Sequence, residues 1–201
     1  EGELRYYQVV VEAIWGLQSD SVVGNFGFIT DIDGNVYQIV QIGEQLWMKE
    51  NLKVTHYQNG DEIPYSYNDP QYGAYAEYNN DASNVAVYGR LYNWFAVNDA
   101  RGLCPVDWQV PSDDELQELE MYLGMSESEA NSTGWRGTDE GSKLAGLSDL
   151  WSVGDLENNS EFGTSGFTGL PAGYRYGGNG FYYVMGTIGY FWSSSEGNSN
   201  D

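Results

Sequence analysis

Residues 166–196 read GFTGLPAGYRYGGNGFYYVMGTIGYFWSSSE, a stretch of 31 residues with nine aromatic side chains and eight glycines. Only Arg175 and Glu196 carry charge in it. Glycine permits tight turns and close approach of the backbone, and aromatic rings supply large, stiff contact areas. Tyrosine, serine, glycine and asparagine together are typical of binding loops. We therefore interpret this stretch as the functional surface, and the rest of the chain as the scaffold that holds it.

The length of 201 residues is enough for one domain with a substantial core, or for one domain with a short appendage. Eight Lys and Arg against 30 Asp and Glu give a net charge of −22. This charge disfavours nucleic acid and anionic membrane surfaces as partners, because both attract basic proteins. No apolar run approaches the roughly 20 residues of a membrane span, so we expect no direct insertion into a membrane. The first residue is Glu1 rather than Met, which we interpret as a mature protein or an excised fragment.

Acidic residues are concentrated between Asp107 and Glu161, where 14 carboxylates accompany two basic side chains. A solvated surface is the main interpretation, and binding of a divalent cation is the alternative. We predict no cofactor; a structural calcium ion is the alternative, and no motif supports it. Cys104 and His56 are the only residues of their types and lie far apart in the sequence, so a catalytic thiol is disfavoured. We interpret Cys104 as an inert buried thiol or as half of a disulfide.

The first half of the chain shows strand and turn patterns. Residues 6–15 have the β-branched and aromatic content of a strand, either an edge strand or the tail of a preceding domain. We therefore separate residues 1–28, an N-terminal strand or linker segment, from a main domain at 29–201. Asp33-Gly34 lies between two apolar runs, which predicts a hairpin. A calcium loop is the alternative, but the spacing of the carboxylates does not match the calcium-loop pattern. Strands are predicted at 36–42 and 45–48, around a turn at Gly43-Glu44.

The second half opens with clear helix signals. Ser112 and Glu115 form a capping box, and Gly124 ends the predicted helix. Its apolar stripe consists of Leu116, Leu119 and Leu123. Ser126 to Glu129 repeats the capping pattern and predicts a second short helix.

Three weaker patterns complete the local predictions. Residues 90–97 predict one short helix with Leu91, Trp94 and Phe95 on one face. The polar residues 58–84 predict a long surface loop, and long loops in compact domains are often functional. In the C-terminal stretch we expect five core residues on short strands, namely Phe167, Leu170, Phe181, Val184 and Trp192.

Five blocks of sequence resemble a known family. The run DIDGNVYQIVQIGEQLWMKENLKVTHYQNGDEIPY at 31–65 is similar to the opening of the Fibrobacter succinogenes major paralogous domain. Four further blocks follow in the family's order, at residues 88–94, 102–113, 166–175 and 189–195. The resemblance implies an α+β, C-type lectin-like fold related to the sulfatase-modifying-factor group. Such a fold has short twisted antiparallel strands, two or three short helices and long loops.

The sequence departs from the family pattern at three places. It stops after the Trp-Ser-Ser-Ser block, whereas the family continues through further strands to a terminal cysteine. The resemblance therefore implies that residues 29–201 lack the last strands, and that Cys104 would pair with that cysteine in a longer chain. Asp107 and Gln109 stand where relatives tend to carry Gly and His, which weakens a catalytic interpretation. Ala172 replaces a usual glycine, and we expect this change to be neutral.

The resemblance and the composition together predict a ligand-binding surface near the C-terminus. Its candidate residues are Tyr176, Asn179, Tyr182, Tyr183, Met185, Thr187, Ile188, Tyr190, Phe191, Glu196 and Asn198. Some relatives are variable proteins of diversity-generating retroelements, which rewrite adenines in this segment. An Asn codon altered at its adenines yields Tyr, Ile, Thr, Ser, Asp or Phe, and most of the candidate residues belong to that set.

These observations favour a recognition or adhesion module over an enzyme. The family occurs in surface lipoproteins and secreted proteins of Bacteroidota-like bacteria, so we expect an extracellular or cell-surface location and a protein or glycan ligand. One alternative is an active or inactive relative of formylglycine-generating enzymes. Active members use paired cysteines near the C-terminal region, whereas this chain has one cysteine in its middle. The other alternative is a structural surface protein.

Overall fold

A computed structural model describes residues 5–8, 12–13, 27–66 and 71–196; for 5–8 and 12–13 only the backbone is described. Its helices are short and its paired strands are all antiparallel, which makes the domain α+β. The strands are β1 Arg5–Gln8, β2 Glu12–Ala13, β3 Phe28–Thr30, β4 Val36–Ile42, β5 Gln45–Met48, β6 Tyr75–Ala76, β7 Leu91–Asn93, β8 Trp108–Gln109, β9 Tyr174–Tyr176 and β10 Tyr182–Tyr183. The α-helices are α1 Val85–Tyr88, α2 Trp94–Val97, α3 Asp113–Tyr122, α4 Glu127–Ala130 and α5 Glu140–Leu144. The described residues also form three 3₁₀ turns, at Tyr78–Asn80, Ala82–Asn84 and Ser148–Leu150.

The strands form two five-stranded sheets. The first sheet has the order β10-β9-β1-β7-β6, and the second has the order β3-β4-β5-β2-β8. The N-terminal segment contributes an inner strand to each sheet, since β1 lies between β9 and β7, and β2 lies between β5 and β8. The expectation of an edge strand in this segment is therefore wrong, because both β1 and β2 have a hydrogen-bonded neighbour on each side.

The predicted hairpin at Asp33-Gly34 is confirmed, and the carboxylate of Asp31 organises it. Strands β3 and β4 pair with Ile29 opposite Tyr37. The Asp31 carboxylate accepts hydrogen bonds from the backbone N–H groups of Asp33 and Asn35, both at 2.9 Å, and from the Asn35 side chain at 2.8 Å. It also accepts one from the buried Tyr37 hydroxyl at 2.5 Å. Burial, followed by the nearby Asp31, raises the pKa of Tyr37, so this hydroxyl remains a donor.

The next hairpin is also as predicted, with β4 and β5 joined at Gly43-Glu44. Its second strand is largely buried and carries Trp47 and Met48 into the interior. The largest core cluster contains Met48, Leu52, Tyr57, Tyr92 and Trp108. A second cluster joins Trp47 to the leucine stripe of α3 and to Phe167. The core thus lies between the second sheet, α3 and the centre of the first sheet.

The helix starts follow the predicted capping chemistry. The Ser112 hydroxyl accepts from the Glu115 N–H, and the Glu115 carboxylate accepts from the Ser112 N–H, which confirms the capping box of α3. The same reciprocal pair at Ser126 and Glu129 begins α4. Gly124 follows the last turn of α3 with φ 121°. The described residues hold five α-helices, whereas two or three were expected. The expectation was too low because four-residue helices are too short to show a 3.6-residue period in the sequence.

Three local predictions are wrong. Residues 90–97 form strand β7 and then α2, because Leu91–Asn93 pair with β1 and β6. Residues 58–84 are not a plain surface loop: this segment includes β6 and buries Ile63, Ala74 and Tyr78, although residues 67–70 lie outside the described part. Phe181 and Val184, expected in the core, are 64% and 39% exposed. Both flank a two-residue strand, which offers little surface to pack against.

The substitution Asp31→Ala tests the carboxylate at the first hairpin. It removes the acceptor of the buried Tyr37 hydroxyl and of two backbone N–H groups, so we expect the free energy of unfolding to fall by about 2–4 kcal/mol. Chemical denaturation followed by circular dichroism measures the change. The matched control is Glu44→Ala, an exposed acid in the next hairpin turn. A loss no larger than that of the control would contradict the role of Asp31.

Candidate functional site

Strands β9 and β10 form a hairpin at the edge of the first sheet, which we call the tyrosine hairpin (residues 174–183). Tyr182 pairs with Arg175, and Tyr183 pairs with Tyr174. In the turn, the N–H of Tyr176 donates to the Phe181 carbonyl at 2.9 Å. The N–H of Phe181 donates to the Asn179 side chain at 2.9 Å. Among the described residues, only β9 joins this hairpin to the sheet, so β10 lies at the edge of the sheet.

One face of the tyrosine hairpin carries a cluster of three half-buried rings. Tyr174 and Tyr183 are stacked, with centroids 5.3 Å apart and planes at 25°. Tyr190 meets Tyr174 edge to face, also at 5.3 Å. The Asn179 side chain donates to the Tyr183 hydroxyl at 3.0 Å, which fixes the amide beside the rings. This face therefore presents ordered aromatic surface with hydroxyl and amide groups at its margin.

The opposite face anchors the tyrosine hairpin to the scaffold. Arg175 is only 3% exposed, and its guanidinium carbon lies 5.9 Å from the centre of the Tyr182 ring. The Tyr182 ring lies 5.2 Å from that of Tyr78, and its hydroxyl donates to the Asn80 side chain at 2.9 Å. Burial raises the pKa of Tyr182 while Arg175 opposes the shift, so the hydroxyl stays protonated at neutral pH. Tyr182 thus acts mainly as a structural contact.

The backbone of the turn after β10 packs so closely against Gly173 that only glycine fits at that position. A Cβ atom there would lie 2.1 Å from the Tyr183 carbonyl oxygen, at a φ of 61°. The Gly173 N–H donates to the Ile188 carbonyl at 2.9 Å, and Met185 packs on the cluster around Tyr78. Val184 has φ 56°, a left-handed conformation that is uncommon for a β-branched residue. The turn is consequently ordered and strained at one position.

The loop that carries Trp151, to which the sequence assigns no function, lies beside this turn. The N–H of Ser152 donates to the Gly186 carbonyl, which brings the next residue, Val153, close to the turn. Val153 is 86% exposed, and Val184 and Thr187 are also exposed. The turn and this loop therefore expose side chains on either side of a shared backbone hydrogen bond. Trp151 and the turn pair Gly154-Asp155 are the sequence signals that mark this loop.

The candidate residues thus fall into separate groups. Asn179, Tyr183 and Tyr190 lie together on one face of the tyrosine hairpin, with Thr187 exposed in the next turn. Tyr182 and Met185 are half-buried and pack on the scaffold around Tyr78, and Tyr176 is half-buried in the hairpin. Ile188 is half-buried in the turn.

The last candidates lie elsewhere. The Phe191 ring turns towards Phe167, at 6.3 Å, and packs on the core cluster around Trp47. Glu196 lines a different cleft, beside Asp113. Asn198 lies outside the described residues. The structure therefore does not bring all eleven candidates into one surface.

The described residues contain no group of three or more His, Cys, Asp or Glu side chains that could hold a metal ion. The Cys104 thiol is buried, and burial raises its pKa well above the usual value, so it stays protonated at neutral pH. The single histidine, His56, lies 2.5 Å from the Asp33 carboxylate through Nδ1. In the part of the chain that is described, no helix is long and apolar enough to cross a membrane.

Comparison with known proteins identifies the family. The sequence model of the Fibrobacter succinogenes major domain matches residues 40–201. This region contains the tyrosine hairpin and helices α1 to α5 of the described residues. The chain belongs to this family. The resemblance seen in the five sequence blocks is thereby confirmed for the Fibrobacter succinogenes major domain, although β1, β2 and β3 precede the matched region. No curated protein and no solved structure matches the chain significantly.

Val184, which has a left-handed backbone conformation in this Fibrobacter succinogenes major domain, gives a test of the turn. Asn adopts positive φ more readily than Val, so Val184→Asn is expected to raise the free energy of unfolding by about 0.5–1.5 kcal/mol. Thermal denaturation measures the change. The control is Val106→Asn, since Val106 is also exposed but lies outside the left-handed region. Equal effects of the two substitutions would show that the turn does not hold Val184 in the left-handed conformation.

Proposed function

We propose that this chain is an extracellular or cell-surface recognition module that binds a protein or glycan ligand. The observation that carries the proposal is the three-ring cluster of Tyr174, Tyr183 and Tyr190, presented at a sheet edge with Asn179 beside it. Tyrosine suits recognition because it combines an apolar ring with a hydroxyl and loses little conformational entropy on binding. The exposed Val184 and Thr187 lie in the turn that follows this surface along the chain.

Rigidity of the surface supports the proposal. The opposite face of the tyrosine hairpin is fixed by Arg175, Tyr182 and Asn80, and the following turn is tied to the Val153 loop through Ser152 and Gly186. A surface that is ordered before binding loses less entropy when the ligand binds. The ring cluster therefore needs little rearrangement to form a central hot spot.

Charge and chemistry favour binding over catalysis. The net charge of −22 repels polyanions and favours neutral or basic ligands. Formylglycine-type chemistry needs reactive cysteines, and the raised pKa of the buried Cys104 thiol suits a structural residue instead. A non-enzymatic role, a C-type lectin-like arrangement of the two sheets and a secreted or lipoprotein form are parts of this proposal that rest on the family resemblance.

The binding experiment uses the full chain against arrays of bacterial and host glycans and of extracellular protein domains. A triple variant, Asn179→Ala with Tyr183→Ala and Thr187→Ala, removes the exposed groups of the surface. We expect at least a roughly tenfold loss of affinity for the ligand found, because one hot-spot side chain is worth about 1.4 kcal/mol or more. Biolayer interferometry measures the affinity, and circular dichroism checks the fold.

The control for that experiment is Tyr122→Ala, an exposed tyrosine on α3. It should bind like the unchanged chain. Retention of full affinity by the triple variant would place the ligand elsewhere and overturn the assignment of the ring cluster. Failure of the unchanged chain to bind anything on either array would favour a structural surface protein.

We further propose that the segment from Tyr176 to Asn198 is a target of retroelement diversification. Asn179, Tyr183, Thr187 and Ile188 belong to the set of residues that adenine changes in Asn codons produce, and they lie in loops or at a sheet edge where substitution is tolerated. Genome sequence around the gene should contain a near-copy of this segment and a reverse-transcriptase gene. Differences between copy and gene should be confined to adenines of the copy. A neighbourhood with neither feature would contradict the proposal.

A further inference from the structure

Trp135 is presented to solvent by an ordered loop. Its side chain is 91% exposed, although a tryptophan normally buries most of its large apolar surface. The loop places Trp135 between Gly134 and Gly137, which both have φ 84°. A Cβ atom at Gly137 would lie 2.6 Å from the Glu140 carboxylate and 2.9 Å from the end of the Met125 side chain, so this position packs closely.

The neighbour of Trp135 ties the loop to helix α3. The Arg136 guanidinium donates to the Glu120 carboxylate through Nε at 3.1 Å and through Nη2 at 2.9 Å. Its third contact, from Nη1 to the Ser132 carbonyl at 3.3 Å, closes the loop on itself. These contacts hold the backbone on both sides of the indole. The exposure of Trp135 is therefore a property of an anchored loop rather than of a free chain end.

A polar cleft lies beside the loop that carries Trp135, although the indole itself does not line it. Gly134 and Arg136, the residues on either side of Trp135, both line this cleft, which has a volume of about 760 Å³ and lies against the first turn of α3. That volume is within the range of about 300–1,000 Å³ that is usual for ligand sites. Its other polar walls are supplied by Asp113, Gln117, Asn131, Thr133, Ser193 and Glu196.

The walls of the cleft carry polar groups suited to hydroxyls. The Gln117 amide donates to one Asp113 oxygen at 2.7 Å, and the Asn131 amide donates to the Glu127 carbonyl at 2.7 Å. Both amides thus have fixed orientations, and their carbonyl oxygens add acceptors to those of the carboxylates. The backbone N–H of Asp113 donates to the Ser195 hydroxyl at 2.9 Å, which joins the two walls.

The combination of an indole ring with amide, hydroxyl and carboxylate groups fits a saccharide. A pyranose ring has an apolar C–H face that stacks on tryptophan and an edge of hydroxyls that pair with planar polar side chains. We propose that the cleft between α3 and the Asn131–Gly137 loop, with Trp135 at its rim, binds a neutral oligosaccharide. A uronic acid polymer is disfavoured, because Asp113 and Glu196 are acidic and Arg136 is paired with Glu120. This site is separate from the tyrosine hairpin and does not depend on its proposed function.

The test measures binding of the full chain to defined sugars by isothermal titration calorimetry and tryptophan fluorescence. The probes are the pentasaccharides of β-1,4-linked glucose, xylose, mannose and N-acetylglucosamine, together with pentagalacturonate. We expect at least one neutral pentasaccharide to bind and pentagalacturonate not to bind. Trp135→Ala should weaken binding at least about tenfold, whereas Trp135→Phe, which keeps a ring, should weaken it less.

Phe28→Ala is the matched control, because Phe28 is an exposed aromatic residue on β3, outside both the cleft and the tyrosine hairpin. It should leave sugar binding unchanged, and Trp135→Ala should leave the thermal midpoint unchanged, since the indole contributes little to the core. Gln117→Leu should also weaken sugar binding while the fold is retained. Failure to bind any neutral pentasaccharide at millimolar concentration would overturn the proposal. Full binding by Trp135→Ala, or stronger binding of pentagalacturonate, would overturn it as well.

Discussion

The first sheet depends on strand β1, which fills the place between β9 and β7. The tyrosine hairpin has no other strand neighbour in the described residues, so its hydrogen-bonded connection to the rest of the sheet runs through β1. Yet β1 comes from the N-terminal segment, ahead of the region that the family model matches. A strand outside the family match therefore holds in place the part of the domain with the richest aromatic surface.

The two faces of the tyrosine hairpin differ in their surroundings. Because side chains alternate along a strand, Arg175 and Tyr182 point to one side while Tyr174 and Tyr183 point to the other. The first pair meets Tyr78 and Asn80 and fixes the position of the strands. The second pair stacks together, with Tyr190 against Tyr174, and forms the surface proposed for recognition. The short strands thus combine a rigid support with an accessible surface in very few residues.

Local chemistry predicted some parts of the structure well. The Ser112–Glu115 capping box needs only four neighbouring residues, and the hairpin turns need even fewer, so sequence alone was sufficient. The strand at Leu91–Asn93 was wrongly predicted as helix. Its pairing with β1 involves residues distant in the chain, which a local sequence pattern does not show. The composition of 166–196 predicted a functional surface, but it did not predict that Phe181 is exposed. Nor did any sequence pattern indicate Trp135, whose exposure depends on how its loop is anchored.

The pairing of β1 with β9 also constrains the order of folding. Arg5 lies opposite Tyr176, so β1 must wait for a strand made much later in synthesis before the first sheet is complete. Contacts between such distant residues have a high loop-closure cost and slow the folding of β-rich proteins. The second sheet faces a smaller delay, since β2 pairs with β5 and β8, which are made earlier. We infer that the second sheet and α3 assemble before the first sheet during synthesis, and that the tyrosine hairpin becomes ordered after them.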